Sequence, residues 1–326
     1  MCTRRYSTEY YPHADDFVRY IADYVSRWKL AIHFNTTVES VHRHRFAQRW
    51  PGELGFELRT TQGIKRCRTL LPGTGLSIPH YPPYPNYDAM VGYETMSLNA
   101  STYRNQRVLV LGNGNSAFEV AQAIANEAAF VHVVGRRQVR FAFMTHYAGD
   151  VRAINAEFMD HYMLKSLDAA FEGGEVPEVD AHGHLLPPFS LEYDHVIRCF
   201  GFKFDASMFA ASTRPYRMAQ KNGKYPAVDH AYQSPNVPGM YFIGPLAHGY
   251  KGDFGKSSGA FIHGFRYTVR ALCRILAWRH HNVEWPHVTV PSGQLAEYLL
   301  RDRIGRTSAL YQMFGVLSDV VVFHPG

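Results

Sequence analysis

The feature that most constrains this chain is a glycine-rich turn between an apolar strand and an amphipathic helix. The strand pattern RVLVL (107–111) leads into Gly112 and Gly114, and apolar or small side chains then recur at helical spacing. A second apolar run, FVHVV (130–134), follows. Strand, tight turn, helix and strand in this order predict a βαβ unit with parallel strands. The expected fold class is therefore α/β.

The turn also has a spacing that carries chemistry. Gly112, Gly114 and Ala117 form G-x-G-x-x-A, in which the first glycine permits the tight turn, the second lets a diphosphate approach the backbone and the small third residue lets helix and strand pack closely. N–H groups at the helix start can then face an anion. The predicted contact residues are Gly112, Asn113, Gly114, Asn115, Ser116 and Ala117. The alternative is an ordinary glycine turn.

The end of the second strand indicates which dinucleotide fits. A site for NAD would place Asp or Glu here to accept a hydrogen bond from the ribose 2′-hydroxyl, whereas this chain has Gly135, Arg136 and Arg137. Because a guanidinium pairs bidentately with a phosphate, Arg136 or Arg137 favours NADPH over NADH. The alternative is a solvated arginine pair.

Apolar patterns flank this unit on both sides. Residues 13–28 predict a helix that begins after Pro12, and strands are expected within 30–44, 55–61 and 67–75. The segment 79–85 contains four prolines and is expected to connect two domains. Further apolar runs end at Gly201 and Gly244, and a helix is expected over 258–280.

Glycines at the ends of these runs predict a second nucleotide site, for FAD. Such glycines suit places where the chain passes close to a dinucleotide and a Cβ would collide. The helix beginning near Ser258 could stabilise a negative flavin edge or diphosphate. The predicted residues are Gly73, Thr74, Gly75, Gly201, Gly244, Lys256, Ser257, Ser258 and Gly259. We expect residues 1–100 and 204–285 to form an FAD domain into which an NADPH domain, 101–203, is inserted, followed by an extension over 286–326.

Composition excludes several other classes. Hydrophobic residues make up 46% of the 326 residues and charged residues 19%, which indicates a globular protein. The net charge of +6 is scattered without a basic run, so nucleic-acid binding is not expected, and no apolar run is long enough to span a membrane. The four cysteines form no C-x-x-C pair and the paired histidines lack further ligands, so neither a dithiol centre nor a metal site is predicted.

Four strings identify a family resemblance. GNGNSAFEVA (112–121), THYAGDVRAIN (145–155), KSSGAFIHGFRYTVRAL (256–272) and LYQMFGVLSDV (310–320) resemble the FAD-dependent oxidoreductase domain-containing protein 2 family, flavoproteins of the endoplasmic reticulum associated with protein degradation. The chain is more distantly similar to flavin-containing monooxygenases. The resemblance implies FAD and NADPH as cofactors, two nested Rossmann-like domains, a location in the endoplasmic-reticulum lumen and degradation components as partners.

The chain departs from that resemblance in two places. The family has an N-terminal strand, glycine turn and helix for the FAD diphosphate, and this βαβ unit is missing here; we therefore expect residues 1–326 alone to bind FAD poorly. The related monooxygenases carry F-x-G-x-x-x-H where residues 90–96 read MVGYETM, which argues against insertion of oxygen. Neither the secretory nor the retention signal of the family is visible.

Candidates for residues near the nicotinamide or the substrate are His146 and Asp150, for which a surface hydrogen-bonded pair is the alternative. The expected activity is transfer of hydride from NADPH to flavin and of electrons onward to a small-molecule or protein acceptor. The alternatives are a redox-inactive adaptor that binds degradation partners and a monooxygenase.

Overall fold

The computed structural model describes residues 5–9, 12–48, 51–84, 86–136, 139, 141, 151–152, 154–155, 192–219, 223–250, 258–313 and 315–323. The helices and strands, in chain order, are α1 Ala14–Trp28, β1 Val38–Arg45, β2 Leu54–Thr60, β3 Gly63–Cys67, β4 Ile78–Pro79, β5 Val91–Gly92, β6 Arg107–Leu111, α2 Asn115–Ile124, β7 Phe130–Val134, β8 His195–Arg198, β9 Phe202–Lys203, α3 Ile262–His281, α4 Leu295–Tyr298 and α5 Ser308–Met313. A π-helical segment, Leu299–Ile304, follows α4.

The glycine turn belongs to a four-stranded parallel sheet with the order β5-β8-β6-β7. Its central strand β6 is fully buried from Val108 to Leu111, as expected for a parallel sheet covered on both faces. Helix α2 packs Phe118, Val120 and Ile124 into the core on one face. The predicted βαβ unit and α/β fold class are confirmed.

A second core lies around an antiparallel sheet of order β1-β2-β3. There Val41 and Phe56 pack with Phe204, Met240 and Phe242. Two chain crossings, β4 and β9, pair with each other antiparallel where the chain leaves and re-enters this part of the molecule. Residues that precede the parallel sheet in the sequence and residues that follow it therefore share one hydrophobic core.

Helix α1 begins and ends where the sequence predicts, with Asp15 and Asp16 in its first turn and left-handed Lys29 after its last residue. None of its side chains is buried. Phe17, Tyr24 and Trp28 are all exposed, and they form a row of ring contacts with Tyr20 along one face. Tyr6 contacts the Tyr20 ring edge-on, but Phe17, Tyr24 and Trp28 stay exposed.

Three predicted strands differ from the structure. Residues 30–37 are not part of β1, because Asn35 adopts a left-handed conformation (φ 52°) that turns the chain. The third strand lies at Gly63–Cys67 instead of 67–75, because a tight turn at Gly63 (φ 98°) starts the pairing earlier. The run 239–244 forms only isolated bridges, including Leu70 with Met240.

The C-terminal helix α3 confirms the helical pattern expected over 258–280, although residues 258–260 form a 3₁₀ turn before it. Helix α3 and this turn pack against a second 3₁₀ turn, Gly244–Gly249. Among the described residues, no helix has the length and apolar character needed to cross a bilayer.

Candidate functional site

The two glycines of the motif play different structural roles. Gly112 has φ 126°, and a Cβ there would lie 2.6 Å from the carbonyl oxygen of Cys199. Its N–H donates to the carbonyl oxygen of Val134 at 2.7 Å. Gly114 has φ −95°, and no atom lies within 4 Å of the position a Cβ would take. The fold itself requires the first glycine, whereas the second leaves open space at the start of α2.

Ala117 is fully buried one turn into α2, which lets the helix pack closely on the sheet. On the outer side, the side-chain oxygen of Asn115 accepts hydrogen bonds from the N–H of Arg152 at 2.9 Å and from the amide of Asn155 at 3.0 Å. The Arg152 guanidinium also pairs with Glu119 at 2.7 Å. Arg152 and Asn155 therefore fix the first turn of the helix.

The end of β7 lies beside the glycine turn. The Asn113 side chain covers Gly135 so closely that a Cβ at Gly135 would lie 2.3 Å from it. The next residue, Arg136, is exposed. Arg136 therefore lies one residue beyond the contact of Gly135 with Asn113, beside the glycine turn.

A small cleft of about 10 Å³, room for roughly one water molecule, opens at the carboxyl ends of β5 and β8. Its lining includes Tyr87, Tyr93, Glu94, Ser116, Arg198 and Gly201. The Arg198 guanidinium pairs with Glu94 at 3.1 Å and lies 4.2 Å from the centre of the Tyr87 ring. Because Arg198 is only 9% exposed, this ion pair is largely removed from water.

Two further groups at the cleft are held in their protonated forms. Burial, and then the neighbouring carboxylates of Glu119 and Glu94, raise the pKa of Cys199 to about 12, so its thiol is neutral at physiological pH. Burial and Glu119 raise the pKa of Tyr93, whose hydroxyl donates to Glu119 at 3.2 Å. In the described chain, Cys67, Cys199 and Cys273 are free, and no group of three or more His, Cys, Asp or Glu residues could hold a metal ion.

The predicted FAD-side glycines form a second group. The N–H of Ile243 donates to the carbonyl oxygen of Pro72, and a Cβ at Gly73 would lie 3.0 Å from the Ile243 side chain, one residue before Gly244. Gly75 and Gly244 have positive φ angles of 69° and 61°, with open space at their Cβ positions. Thr74 is exposed, and buried Gly259 follows Ser258 in the 3₁₀ turn that packs against 244–249.

Gly201 was predicted with the FAD-side glycines, but it lies at the cleft. It has φ 83° and lines the cleft next to Ser116. Five predicted site residues lie outside the described residues and stay predictions: Arg137, His146, Asp150, Lys256 and Ser257.

The sequence analysis missed Glu94, Arg198 and Arg152. Glu94 and Arg198 lie 104 positions apart, so no local spacing links them. The only sequence signal was indirect, because Glu94 falls in the stretch that departs from the monooxygenase motif. Arg152 lies within one of the resembling strings but carries no pattern that indicates its partner.

The fold and this geometry define a class of protein. Residues 3–244 match the model of the family described as pyridine nucleotide-disulphide oxidoreductase, and the chain belongs to this family. A more particular likeness is to FAD-dependent oxidoreductase domain-containing protein 2 from Mus musculus, with 38% identity over 98% of this chain and 52% of the relative. The predicted resemblance is confirmed. The chain spans about half the length of this curated relative.

Solved structures show the same fold. A bacillithiol disulfide reductase from Bacillus cereus matches with a TM-score of 0.62 and 18% identity, over 84% of this chain and 80% of that chain. A flavin-containing monooxygenase from Stenotrophomonas maltophilia matches with a TM-score of 0.60 and 18% identity, over 84% and 79%. Because the sequence identity is low, these similarities establish the fold alone.

Proposed function

We propose that this chain is part of a flavin-dependent oxidoreductase that uses NADPH. The observation that carries the proposal is the turn at Gly112 and Gly114: a tight turn demanded by the fold, followed by open space at a helix start where a phosphate can reach the backbone. The family and the flavoprotein named among its relatives support the same conclusion. When bound, the flavin accepts the nicotinamide hydride and passes the electrons to an acceptor.

The chain's residues bind and orient the two cofactors. The backbone at Gly114 and the Ser116 side chain would hold the diphosphate of NADPH, and Arg136 its 2′-phosphate. Gly73, Gly75, Gly244 and the turn at 258–260 would contact FAD, since Gly75 and Gly244 leave open space at their Cβ positions and the turn packs against 244–249. The pair of Glu94 and Arg198 would hold the wall of the cleft that also contains Ser116.

The selectivity for NADPH is the first test. We expect chain 1–326 to bind NADP⁺ at least tenfold more tightly than NAD⁺, because a guanidinium at the end of β7 has a phosphate partner only in NADP⁺. Arg136→Gln should remove most of this preference in calorimetric titrations. Arg279→Gln, an exposed arginine on α3, serves as the control and should retain it. Equal affinity of the unchanged protein for both nucleotides would remove the argument from Arg136.

We also propose the nested arrangement, in which 101–203 binds NADPH and 1–100 with 204–285 forms the FAD half. The core shared by Val41, Phe56, Phe204 and Met240 supports it, since these residues come from both flanking segments. The largely exposed aromatic face of α1 supports packing of this half against further polypeptide. A strand–turn–helix unit of the kind the resemblance implies would supply such a surface.

The flavin content of the chain tests this arrangement. We expect purified residues 1–326 to lack stoichiometric FAD, because the described residues offer one G-x-G-x-x-A turn and we assign it to NADPH. The measurement is the visible absorbance of the purified protein, with NADP⁺ binding to the same sample as the check that it is folded. A fully yellow preparation with one FAD per chain would contradict the assignment.

Monooxygenase activity is not favoured by the cleft. Where the monooxygenase motif has Phe and His, this chain has Met90 and Met96, and the intervening Glu94 is held by Arg198. An adaptor function and a location in the endoplasmic-reticulum lumen rest on the resemblance to the curated relative and stay proposals. Persistent partner binding by a full-length form that does not oxidise NADPH would favour the adaptor.

A further inference from the structure

A group of cationic side chains surrounds His80 where the two chain crossings meet. Strand β4 places Ile78 opposite Lys203 of β9, and the N–H of His80 donates to the carbonyl oxygen of Gly201 at 2.7 Å. The next residue of that crossing, Phe204, donates its N–H to the carbonyl oxygen of Lys224 at 3.0 Å. Hydrogen bonds between neighbouring segments therefore bring His80, Lys203 and Lys224 together.

These charges have no acidic partner in the part of the chain that the structure describes. None of the ion pairs found there involves Arg136, Lys203 or Lys224. The Nδ1 atom of His80 is buried and has no hydrogen-bond partner among the described residues. Burial, and then the positive charges of Lys203, Arg136 and Lys224, lower the pKa of His80. The surroundings of this imidazole are electropositive.

The group lies next to the proposed nucleotide turn. The N–H of His80 donates to the carbonyl oxygen of Gly201, which lies two residues after the cleft residue Cys199. The carbonyl oxygen of Cys199 in turn lies 2.6 Å from the position a Cβ would take at Gly112. On the other side of the same turn, Arg136 follows Gly135, against which the Asn113 side chain packs. Cationic residues from two parts of the fold, the chain crossings and the end of β7, thus lie near the Gly112 turn and act together on His80.

We propose that His80, Lys203 and Lys224 form, with Arg136, a subsite for a phosphate group of the bound dinucleotide. This inference rests on the proposed function and adds three residues to it from outside the glycine motif. Unpaired cations close to one another repel, so an anion between them is stabilised by charge-assisted hydrogen bonds. The phosphate is either the diphosphate or the 2′-phosphate, and two probes distinguish them. ADP-ribose has the diphosphate and no 2′-phosphate, whereas 2′,5′-ADP has the 2′-phosphate and no diphosphate.

The test compares Lys203→Gln with Lys65→Gln, an exposed lysine on β3 that removes the same charge elsewhere. In calorimetric titrations, we expect Lys203→Gln to weaken at least one probe about tenfold, and Lys65→Gln to leave both within about twofold. A loss for ADP-ribose assigns the diphosphate, and a loss for 2′,5′-ADP with ADP-ribose binding unchanged assigns the 2′-phosphate, because 2′,5′-ADP also keeps a 5′-phosphate. Lys203→Arg should restore most of the affinity, and thermal unfolding midpoints check that every variant is folded.

Two outcomes would overturn the inference in distinguishable ways. If the unchanged protein binds either probe and Lys203→Gln binds it equally well, the subsite is wrong, but the assignment of the glycine turn is unaffected. If Lys65→Gln loses as much affinity as Lys203→Gln, the effect is one of long-range charge and the subsite is again wrong. If the unchanged protein binds neither probe and no NADP⁺, the proposed function fails and this subsite with it.

Discussion

Gly112→Ala is expected to lower the free energy of unfolding by about 3 kcal/mol or more, whereas Gly114→Ala should change it by less than about 1 kcal/mol. The two substitutions add the same methyl group two residues apart. At Gly112 the methyl would lie 2.6 Å from a backbone oxygen of Cys199, on a backbone with φ 126° that side chains rarely adopt. At Gly114 it would enter open space on an ordinary backbone.

The pair separates folding from binding. Gly114→Ala should weaken NADP⁺ at least tenfold, because the methyl group occupies the space through which a phosphate reaches the backbone. Chemical denaturation measures the first effect and calorimetric titration the second. Unimpaired NADP⁺ binding by Gly114→Ala would mean that the open space holds no phosphate. If Gly112→Ala folds normally and is as stable as the unchanged protein, the backbone of the turn can adopt another conformation that accepts a Cβ.

The sequence predicted the βαβ unit well because its information is local. Strand β6, the turn, helix α2 and strand β7 follow one another within 28 residues, and the two continuous apolar runs and the helical period of 3.6 directly record which side chains are buried. The position of Arg136 follows from the same unit, since it lies two residues beyond β7. Where the motif and the secondary structure are contiguous, the sequence contains the whole constraint.

Elements whose partners are distant in sequence were predicted less well. The run 239–244 is apolar because it packs in the second core, but its backbone hydrogen bonds give isolated bridges, such as Met240 with Leu70, and no continuous ladder. The pairing of β4 with β9 joins positions more than 120 residues apart. For the same reason, the cationic group around His80 has no signature in the sequence, where its members are scattered charges.

The second large effect is expected at the cleft wall, where Glu94→Gln should lower the free energy of unfolding by about 2–4 kcal/mol. The substitution keeps the shape of the side chain and removes its charge. Arg198, 9% exposed, would then be a buried cation without its counter-ion, and its Nε already has no hydrogen-bond partner among the described residues. The stacked ring of Tyr87 offsets only part of that cost.

The matched control is Glu297→Gln, which removes the partner of Arg301 in an exposed pair on the surface of the C-terminal helices. That change should cost less than about 0.5 kcal/mol, since water screens both charges. If the cleft pair acts as a unit, the double variant Glu94→Gln with Arg198→Met should be more stable than the sum of the two single effects predicts, because removing both charges leaves no uncompensated one. Strict additivity in urea denaturation would mean that Arg198 is stabilised chiefly by Tyr87 and the surrounding backbone.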